Sequence, residues 1–459
     1  MIDPQLKDVP RGIGARVHAI ASAPRNDRYQ NRIGNSLNPG IVSSILRSAD
    51  IGEMQRLADL LDEVREKDGH LQSVLGKREM AVAGAEWEIM PAPGTPPKKA
   101  ERIVKFCTEA LQNMRAFPQA IADLMSAVYH GRAVCEVIMD RDGRRWVPTC
   151  IEPVHPRRFR YSQQDWKLRI WDNDPSSIFN SGYGIAVDDL NALLPGKFIL
   201  HAPRIRGGYP TREGLGRTCV WYSGLFKAFG WRDFLAFAEQ YGRPIRTGTY
   251  GSGKDPKFPQ ASDEDVAEML VLLEALSSSV SGVFPDTTKP EFHNPAADTH
   301  GVHPELIRLC NEEISKAVLG STLGTEVGTS GGNRALGQVH QDGEQMIARN
   351  DARAVSATLK HDLLRPMVLE SGLGDEKDIP TIEIRTDPPE SQDLLATRYA
   401  TLSKAGLRIG QTFVRDRFSI PEPKPDEEVM AVAPPVDPNA DPAADPKAKK
   451  KKDAPGTKL

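Results

Sequence analysis

The run GTYGSGK at Gly248–Lys254 satisfies the first seven positions of a phosphate-binding loop, and it is where this chain comes nearest to enzymatic chemistry. The eighth position decides against it. A nucleotide-binding loop needs Ser or Thr there, because that hydroxyl binds magnesium; this chain has Asp255, whose charge repels phosphate. Pro256 and Pro259 then interrupt the helix whose N-terminus would hold the anion. The run reads as a glycine turn at the tip of a strand. His293, His300 and His303 lie close together, with Asp298 and Glu305 available as a fourth ligand, but NPAADTHGVHP reads as a loop without metal-site spacing. Asp188-Asp189 and Asp263-Glu264-Asp265 are adjacent carboxylates, which point in different directions on a helix or strand. They read as helix N-terminal charges rather than a two-metal nuclease centre. Gly328-Thr329-Ser330-Gly331-Gly332 fits GxSxG only inside a glycine-rich loop and not at a strand-to-helix turn, so a hydrolytic nucleophile has no setting here. We expect no catalytic residue, no cofactor and no metal.

Cys107, Cys135, Cys150, Cys219 and Cys310 are far apart, odd in number and never in a CxxC arrangement. They are expected as packed thiols in a reducing compartment. HPRRFRY at His155–Tyr161 mixes basic and aromatic residues as single-strand binders do, but one such stretch reads as an amphipathic edge strand. The net charge of −3 argues against a protein held to nucleic acid by general positive charge; it is compatible with DNA passing without sticking. No apolar run is long enough for a membrane span, and the N-terminus lacks the apolar region of a signal peptide.

A chain of 459 residues is too long for one core, so two or more domains are expected. Residues 1–40 read as an extended arm made basic by Arg11, Arg16, Arg25, Arg28 and Arg32, either solvated or lying on a neighbouring subunit or on DNA. From Ile41 to Ala83 the apolar period is helical. Met54, Leu57, Leu60, Leu61 and Val64 make one face, and Leu71, Val74, Leu75 and Met80 the inside of the next helix. Helices follow at Lys98–Met114, with Ile103, Val104, Phe106, Cys107, Ala110 and Leu111 inward, and at Phe117–His130. Between Ala133 and His201 the period becomes two. AVCEVIMD, RWVPTCIEP, RFRYS, KLRIWD and KFILH read as strands, with Asp142-Gly143 as a hairpin turn and Trp166, Leu168 and Ile170 alternating along one of them. Helices joined to an antiparallel sheet make an α+β layout, mainly α-helical. A long helix is predicted over Gly216–Tyr241; its ~26 residues span ~39 Å. A strand (Pro244–Tyr250), a helix (Asp263–Ser278), strands near Val280–Phe284 and Glu291–His293, and helices at His303–Leu319 and Asn333–Leu369 come next. TIEIRTD is a last strand before one or two helices ending near Phe418. Beyond Ile420, residues 421–459 hold Pro, Asp, Ala and Lys with almost nothing to bury, which predicts a disordered tail. Its Lys449–Lys452 cluster reads as a solubility tail or a tether.

The stretch Ile314–Arg365 is the most informative. Two helical patterns flank a loop running Gly320, Gly324, Gly328, Gly331, Gly332, with no Lys or Arg between Lys316 and Arg334. Such a loop is conformationally free, too polar for a core and a poor phosphate cradle. A mobile, uncharged loop held between rigid helices suits sliding contact with something large.

The wording of RDGHLQSVLGKREMAVAGAEWEI-like text at Glu66–Ile89, LPGKFILHAPRIRGGYPTREGLGR at Leu194–Arg217, LFKAFGWRDFLAFAEQYGRPIRTGTY at Leu225–Tyr250 and ISKAVLGSTLGTEVGTSGGNRALGQVH at Ile314–His340 resembles the portal proteins of Mu-like tailed phages and prophages. The resemblance implies a phage portal fold with helical stem, α/β clip and mixed wing. By it, 41–214 is wing, 215–241 a stem helix, 242–300 the clip, 301–320 the second stem helix, 321–333 the channel loop and 334–420 crown and wing helices. The loop residues are Ser321, Thr322, Gly324, Thr325, Glu326, Gly328, Thr329, Ser330 and Asn333. The resemblance also implies a structural, non-enzymatic ring, usually of twelve copies, at one vertex of the virion capsid, assembled in the bacterial host cytoplasm. Its implied partners are further copies of itself, the terminase large subunit, a major capsid or scaffold protein, a head-tail connector and double-stranded DNA passing through, with no membrane. The alternatives are a nucleotide-dependent DNA-handling enzyme using Gly248–Lys254 and a capsid-internal adaptor tethered through Lys449–Lys452.

Overall fold

Three helices whose apolar residues recur at three- and four-residue steps open the fold: α1 (Pro39–Asp50), α2 (Gln55–Lys67) and α3 (Gly69–Ala83). The computed structural model describes residues 16–21, 37–171, 178–180, 182–241, 246–253, 259–275, 281–285, 299–322, 334–386, 392–418 and 420. Asn38 caps α1, its Oδ1 accepting from the Ile41 amide at 2.9 Å, so helix begins two residues before the expected Ile41. Val42 and Ile45 of α1, Leu57, Leu60, Leu61 and Val64 of α2, and Leu71, Val74 and Leu75 of α3 share one core. Met80, expected inside, is 61% exposed on the opposite side of α3 from Leu71. β1 (Glu86–Met90), α4 (Pro97–Asn113), α5 (Phe117–Met125) and α6 (Ala127–His130) follow. On α4, Ile103, Phe106, Cys107, Ala110 and Leu111 are buried as the period predicts, and Val104 is partly buried.

β2 (Ala133–Asp142) and β3 (Arg145–Val154) form the expected antiparallel hairpin. Asp142 pairs with Arg145, so the turn is Gly143-Arg144, one residue later than expected, with Gly143 at φ +62°. The register slips between Ile138 and Met139, opposite Pro148, which has no amide to give the ladder. A second sheet holds β4 (Phe159–Tyr161), β5 (Leu168–Ile170) and β6 (Ile185–Ala186). α7 (Val187–Leu193) carries Asp188 and Asp189 in its first turn, as read from the sequence. β7 (Phe198–His201) completes the first sheet beside β2.

Two expectations fail here. Trp166 is not on the strand with Leu168 and Ile170: it sits in a turn at φ +54°, its amide bonded to the Ser162 carbonyl at 2.8 Å, and is exposed. The stretch His155–Tyr161 ends in β4, an edge strand as expected, but it is not amphipathic, because Phe159, Arg160 and Tyr161 are all buried. Arg158 donates to the Ala21 carbonyl; Arg160 donates to the Gly182 and Tyr183 carbonyls and stacks on Trp171 at 4.4 Å. Its guanidinium is consumed by the fold and does not face nucleic acid.

The long helix over 216–241 forms as α8 (Gly216–Cys219), a π-helical run Val220–Lys227 and α9 (Ala228–Tyr241). β8 (Arg246–Tyr250), α10 (Asp263–Ala275) and β9 (Ser281–Pro285) make a β-α-β unit whose two strands are parallel. The strand expected at Glu291–His293 lies outside the described residues. α11 (Thr299–Leu319) and α12 (Arg334–Leu359) flank the glycine-rich segment. α12 runs through a π turn, Lys360–Leu364, into α13 (Arg365–Glu370). Pro366 explains the π turn: it lacks the amide that an α-helix would direct at the Asp362 carbonyl. β10 (Thr381–Arg385) then pairs antiparallel with β1, nearly three hundred residues earlier.

Part of the N-terminal segment belongs to this fold. The Ile20 and Ala21 amides donate to the two carboxylate oxygens of Glu136 at 2.7 and 2.8 Å, and Lys197 Nζ reaches Glu136 at 3.0 Å and the His18 carbonyl at 2.8 Å. Arg16 pairs with Glu370 at 3.0 Å and lies 4.8 Å over Trp146. For residues 16–21, the expectation of an arm that is solvated or lies on a neighbour is therefore corrected.

Residues Met1–Asp387 form one compact unit and Pro388–Leu459 another, a division that falls inside the expected segment 334–420. In the second unit, α14 (Gln392–Lys404) and α15 (Gln411–Phe418) bring Tyr399 edge-on to Phe413 and Phe418, at 6.1 and 6.0 Å. The tail 421–459 lies outside the described residues.

Candidate functional site

The pair formed by α8–α9 and α11 is rooted in the core at one end and exposes apolar side chains toward the other. His303, early in α11, lies against Phe234 and Phe237, late in α9, at 6.3 and 6.0 Å between ring centroids, so the two helices run antiparallel. At the end rooted in the core, Cys219, Val220, Leu225, Ile314 and Val318 are fully buried. Toward the other end Trp231, Leu235, Val302, Leu306 and Leu309 are exposed, Leu235 to 57% and Val302 to 59%. Phe226 is also exposed, whereas Trp221, Phe229 and Phe234 are half-buried. Aromatic and aliphatic side chains around two sides of a helix pair make an apolar surface that one copy of the chain leaves in water.

A buried polar network pins the root of this pair to α3. Asp68 caps α3 by accepting from the His70 and Leu71 amides at 2.9 and 3.2 Å. It also accepts from Ser223 Oγ at 2.5 Å and Lys227 Nζ at 2.7 Å, both on the π-helical run. Burial pushes its carboxyl up, but the bonds from Lys227 and Ser223 and the Lys227 charge outweigh this and hold it below the usual range. His70 Nε2 meets Ser315 Oγ of α11 at 2.8 Å. Gly216 and Gly224 let the helix approach α2: a Cβ at either would come within 2.8 Å of Leu61 or Val64.

The same helix holds both legs of the glycine-rich segment. α11 ends at Gly320, in the left-handed conformation at φ +73°, with its amide bonded to the Lys316 carbonyl at 3.1 Å. Arg78 of α3 donates through Nη1 to the Val318 carbonyl at 2.7 Å, and through Nε and Nη2 to both oxygens of Asp351 on α12, at 2.7 and 3.0 Å. Lys77 pairs with Glu344 of α12 at 2.6 Å, and Ser321 Oγ lies 3.4 Å from the same carboxylate. Of the expected loop residues, Ser321 is buried and Thr322 half-buried. Gly324, Thr325, Glu326, Gly328, Thr329, Ser330 and Asn333 lie outside the described residues.

Sequence reasoning missed Arg78 and Asp351. A signal was present: Asp351 sits on the buried stripe Ala348, Ala352, Val355 of α12, and a carboxylate on such a stripe requires a partner. The partner's identity was out of reach, being 273 positions away.

Gly248, Thr249 and Tyr250 end β8, and the Ala261 amide bonds to the Gly251 carbonyl at 3.0 Å. Among the described residues the next helix is α10, which starts at Asp263, where Ser262 and Asp265 cap it reciprocally at 2.9 and 3.2 Å. Lys254 and Asp255 lie outside the described residues. Among the described residues no group of three His, Cys, Asp or Glu is placed to hold a metal; His303 packs on aromatic rings, and His293 lies outside. All five cysteines are free thiols, four buried and Cys150 half-buried. Burial pushes Cys107 and Cys219 up to about 12, which leaves them unreactive. Among the described residues no helix is long and apolar enough to cross a membrane.

Residues 58–420 match the family model described as the portal protein of Mu bacteriophage. The chain is 28% identical over 416 residues to the Mu-like prophage FluMu protein gp29 of Haemophilus influenzae, covering 89% of this chain and 75% of that one. It is 28% identical over 413 residues to the portal protein of Escherichia phage Mu, covering 89% and 76%. Among solved structures it is similar to a chain from the neck of an empty GTA particle, at 14% identity and a TM-score of 0.45, covering 84% of this chain and 94% of that one. An HK97-family phage portal protein from Corynebacterium diphtheriae matches at 11% identity and a TM-score of 0.38, covering 72% and 98%.

Proposed function

The chain belongs to the portal protein family of Mu bacteriophage, and from that premise we propose that it is a structural ring protein at one capsid vertex. Double-stranded DNA moves through the ring, driven by a separate terminase, and a head-tail connector later attaches to it. The ring acts without catalysis of its own. α8–α9 and α11 form the stem, β8, α10 and β9 the clip, and the segment Ser321–Asn333 of each copy borders the channel. The observation that carries this reading is the helix pair with its exposed Phe226, Trp231, Leu235, Val302, Leu306 and Leu309. Copies arranged around an axis cover those faces through head-to-tail interfaces that close on themselves.

The charge pattern supports the channel assignment. Lys and Arg contacts to phosphate cause tight, salt-sensitive binding, which would stall a moving duplex. A segment of Gly, Ser and Thr with the single carboxylate Glu326 between Lys316 and Arg334 offers no such contact. Shortening 321–333 to a few residues is expected to leave assembly intact and to yield particles that fill with DNA poorly or lose it. Counting filled heads and measuring protected DNA checks this. Normal filling removes the segment from the mechanism.

A further inference from the structure

We propose that Arg78 is a positioning residue that ties the last turn of α11 and the middle of α12, the two helices that flank 321–333, to α3, so that these two helices keep a fixed placement on the stem. This rests on reading that segment as the channel loop. One guanidinium joins the last turn of α11, through the Val318 carbonyl, to α12, through both oxygens of Asp351. The planar fork is what makes this three-way bond; an ammonium in its place is a compact point charge on a shorter reach, without the fixed geometry that matches both Asp351 oxygens and the Val318 carbonyl together. One helical position away, Lys77 holds Glu344, and Glu344 in turn meets Ser321 at the foot of the loop. Asp351 is 6% exposed, so its carboxylate has no solvent to replace the lost partner. Along its length α3 therefore grips the π-helical run through Asp68, α11 through His70 and both loop legs through Lys77 and Arg78. A shift of the stem is transmitted to both helices that flank 321–333 through α3.

The test compares Arg78→Lys with Arg65→Lys in the full-length chain, in assembled rings and in particles. Arg65 makes an equivalent fork onto Glu79, at 2.7 and 2.8 Å, but touches neither leg, so it controls for a merely structural loss. In Arg78→Lys, backbone amides at 316–322 and 344–351 are expected to exchange roughly ten- to hundredfold faster, the size of a lost charged hydrogen bond. Its particles should retain less DNA. Arg65→Lys should leave both readouts at the parent value. If Arg78→Lys does not assemble, Lys77→Gln is read instead, and unchanged exchange at 344–351 overturns the proposal. Arg78→Lys particles that fill and hold DNA normally, while the 321–333 shortening empties them, overturn the clamp and leave the channel-loop reading standing. Normal filling by both variants sinks the reading and the clamp together.

Discussion

Glu136→Ala is expected to lower the stability of the first unit by about 3–5 kcal/mol, the cost of stranding a buried charge. Glu136 and Lys197 are both fully buried, and their ion pair at 3.0 Å has no water to fall back on. The carboxylate also receives the Ile20 and Ala21 amides, so the substitution frees the 16–21 segment from the sheet as well. Burial pulls the Lys197 ammonium below its usual range even with its partner present; without it the charged form is worse off still. Glu136→Gln is also severe, because both oxygens of Glu136 accept hydrogen bonds and the amide nitrogen that replaces one of them must face a donor. Adding Lys197→Met to Glu136→Gln removes the stranded charge, so the pair should show a favourable coupling of roughly 1–3 kcal/mol in a double-mutant cycle. Urea denaturation at one fixed protein concentration measures all four proteins, since assembly itself shifts apparent stability. Additive losses would show that the two side chains act independently and that the burial argument is wrong.

Asp68→Ala is the second large effect, expected at about 3–5 kcal/mol because Lys227 loses its buried partner. The lost cap of α3 adds to it, typically ~1 kcal/mol. Asp68→Asn keeps the cap acceptor and isolates the charge. Its pH dependence has a definite sign. The Asp68 carboxyl is held below its ordinary value in the fold, so its contribution is fully present above the unfolded value near ~4 and disappears as pH falls through the lower folded value. The parent protein should thus lose stability more steeply below about pH 4 than Asp68→Asn does. Urea midpoints taken from neutral pH down to the acid limb check this; parallel curves would mean that the carboxylate is not paired as described.

Much of this arrangement was legible from period and composition. The inward faces of α2 and α4, the strands of the two three-stranded sheets apart from β6, and the helices around the glycine-rich segment follow from local patterning, because amphipathic spacing is a local property. Long-range partners were not legible. β1 and β10 pair across almost the whole unit, and Arg78 finds Asp351 only after α3 and α12 have docked. The π-helical runs were missed for a related reason. The run at Val220–Lys227 carries the groups that meet Asp68, and the one at Lys360–Leu364 precedes Pro366, whereas the apolar pattern reads the same for either helix type. Arg158 and Arg160 misled because basic residues alternating with aromatics read as a solvent-facing side, whereas here both donate to backbone carbonyls and are buried. Trp166 misled because a two-residue period can continue by chance into a turn.

Electron microscopy of the purified full-length protein tests the central claim most directly. The account predicts closed rings with a hole wide enough for duplex DNA, the helix pair Ala228–Tyr241 and Thr299–Leu319 packed between neighbouring copies, and Gly320 and Arg334 turned toward the axis. Compact monomers at every salt concentration, or rings that carry Gly320 and Arg334 on the outer rim, would contradict it.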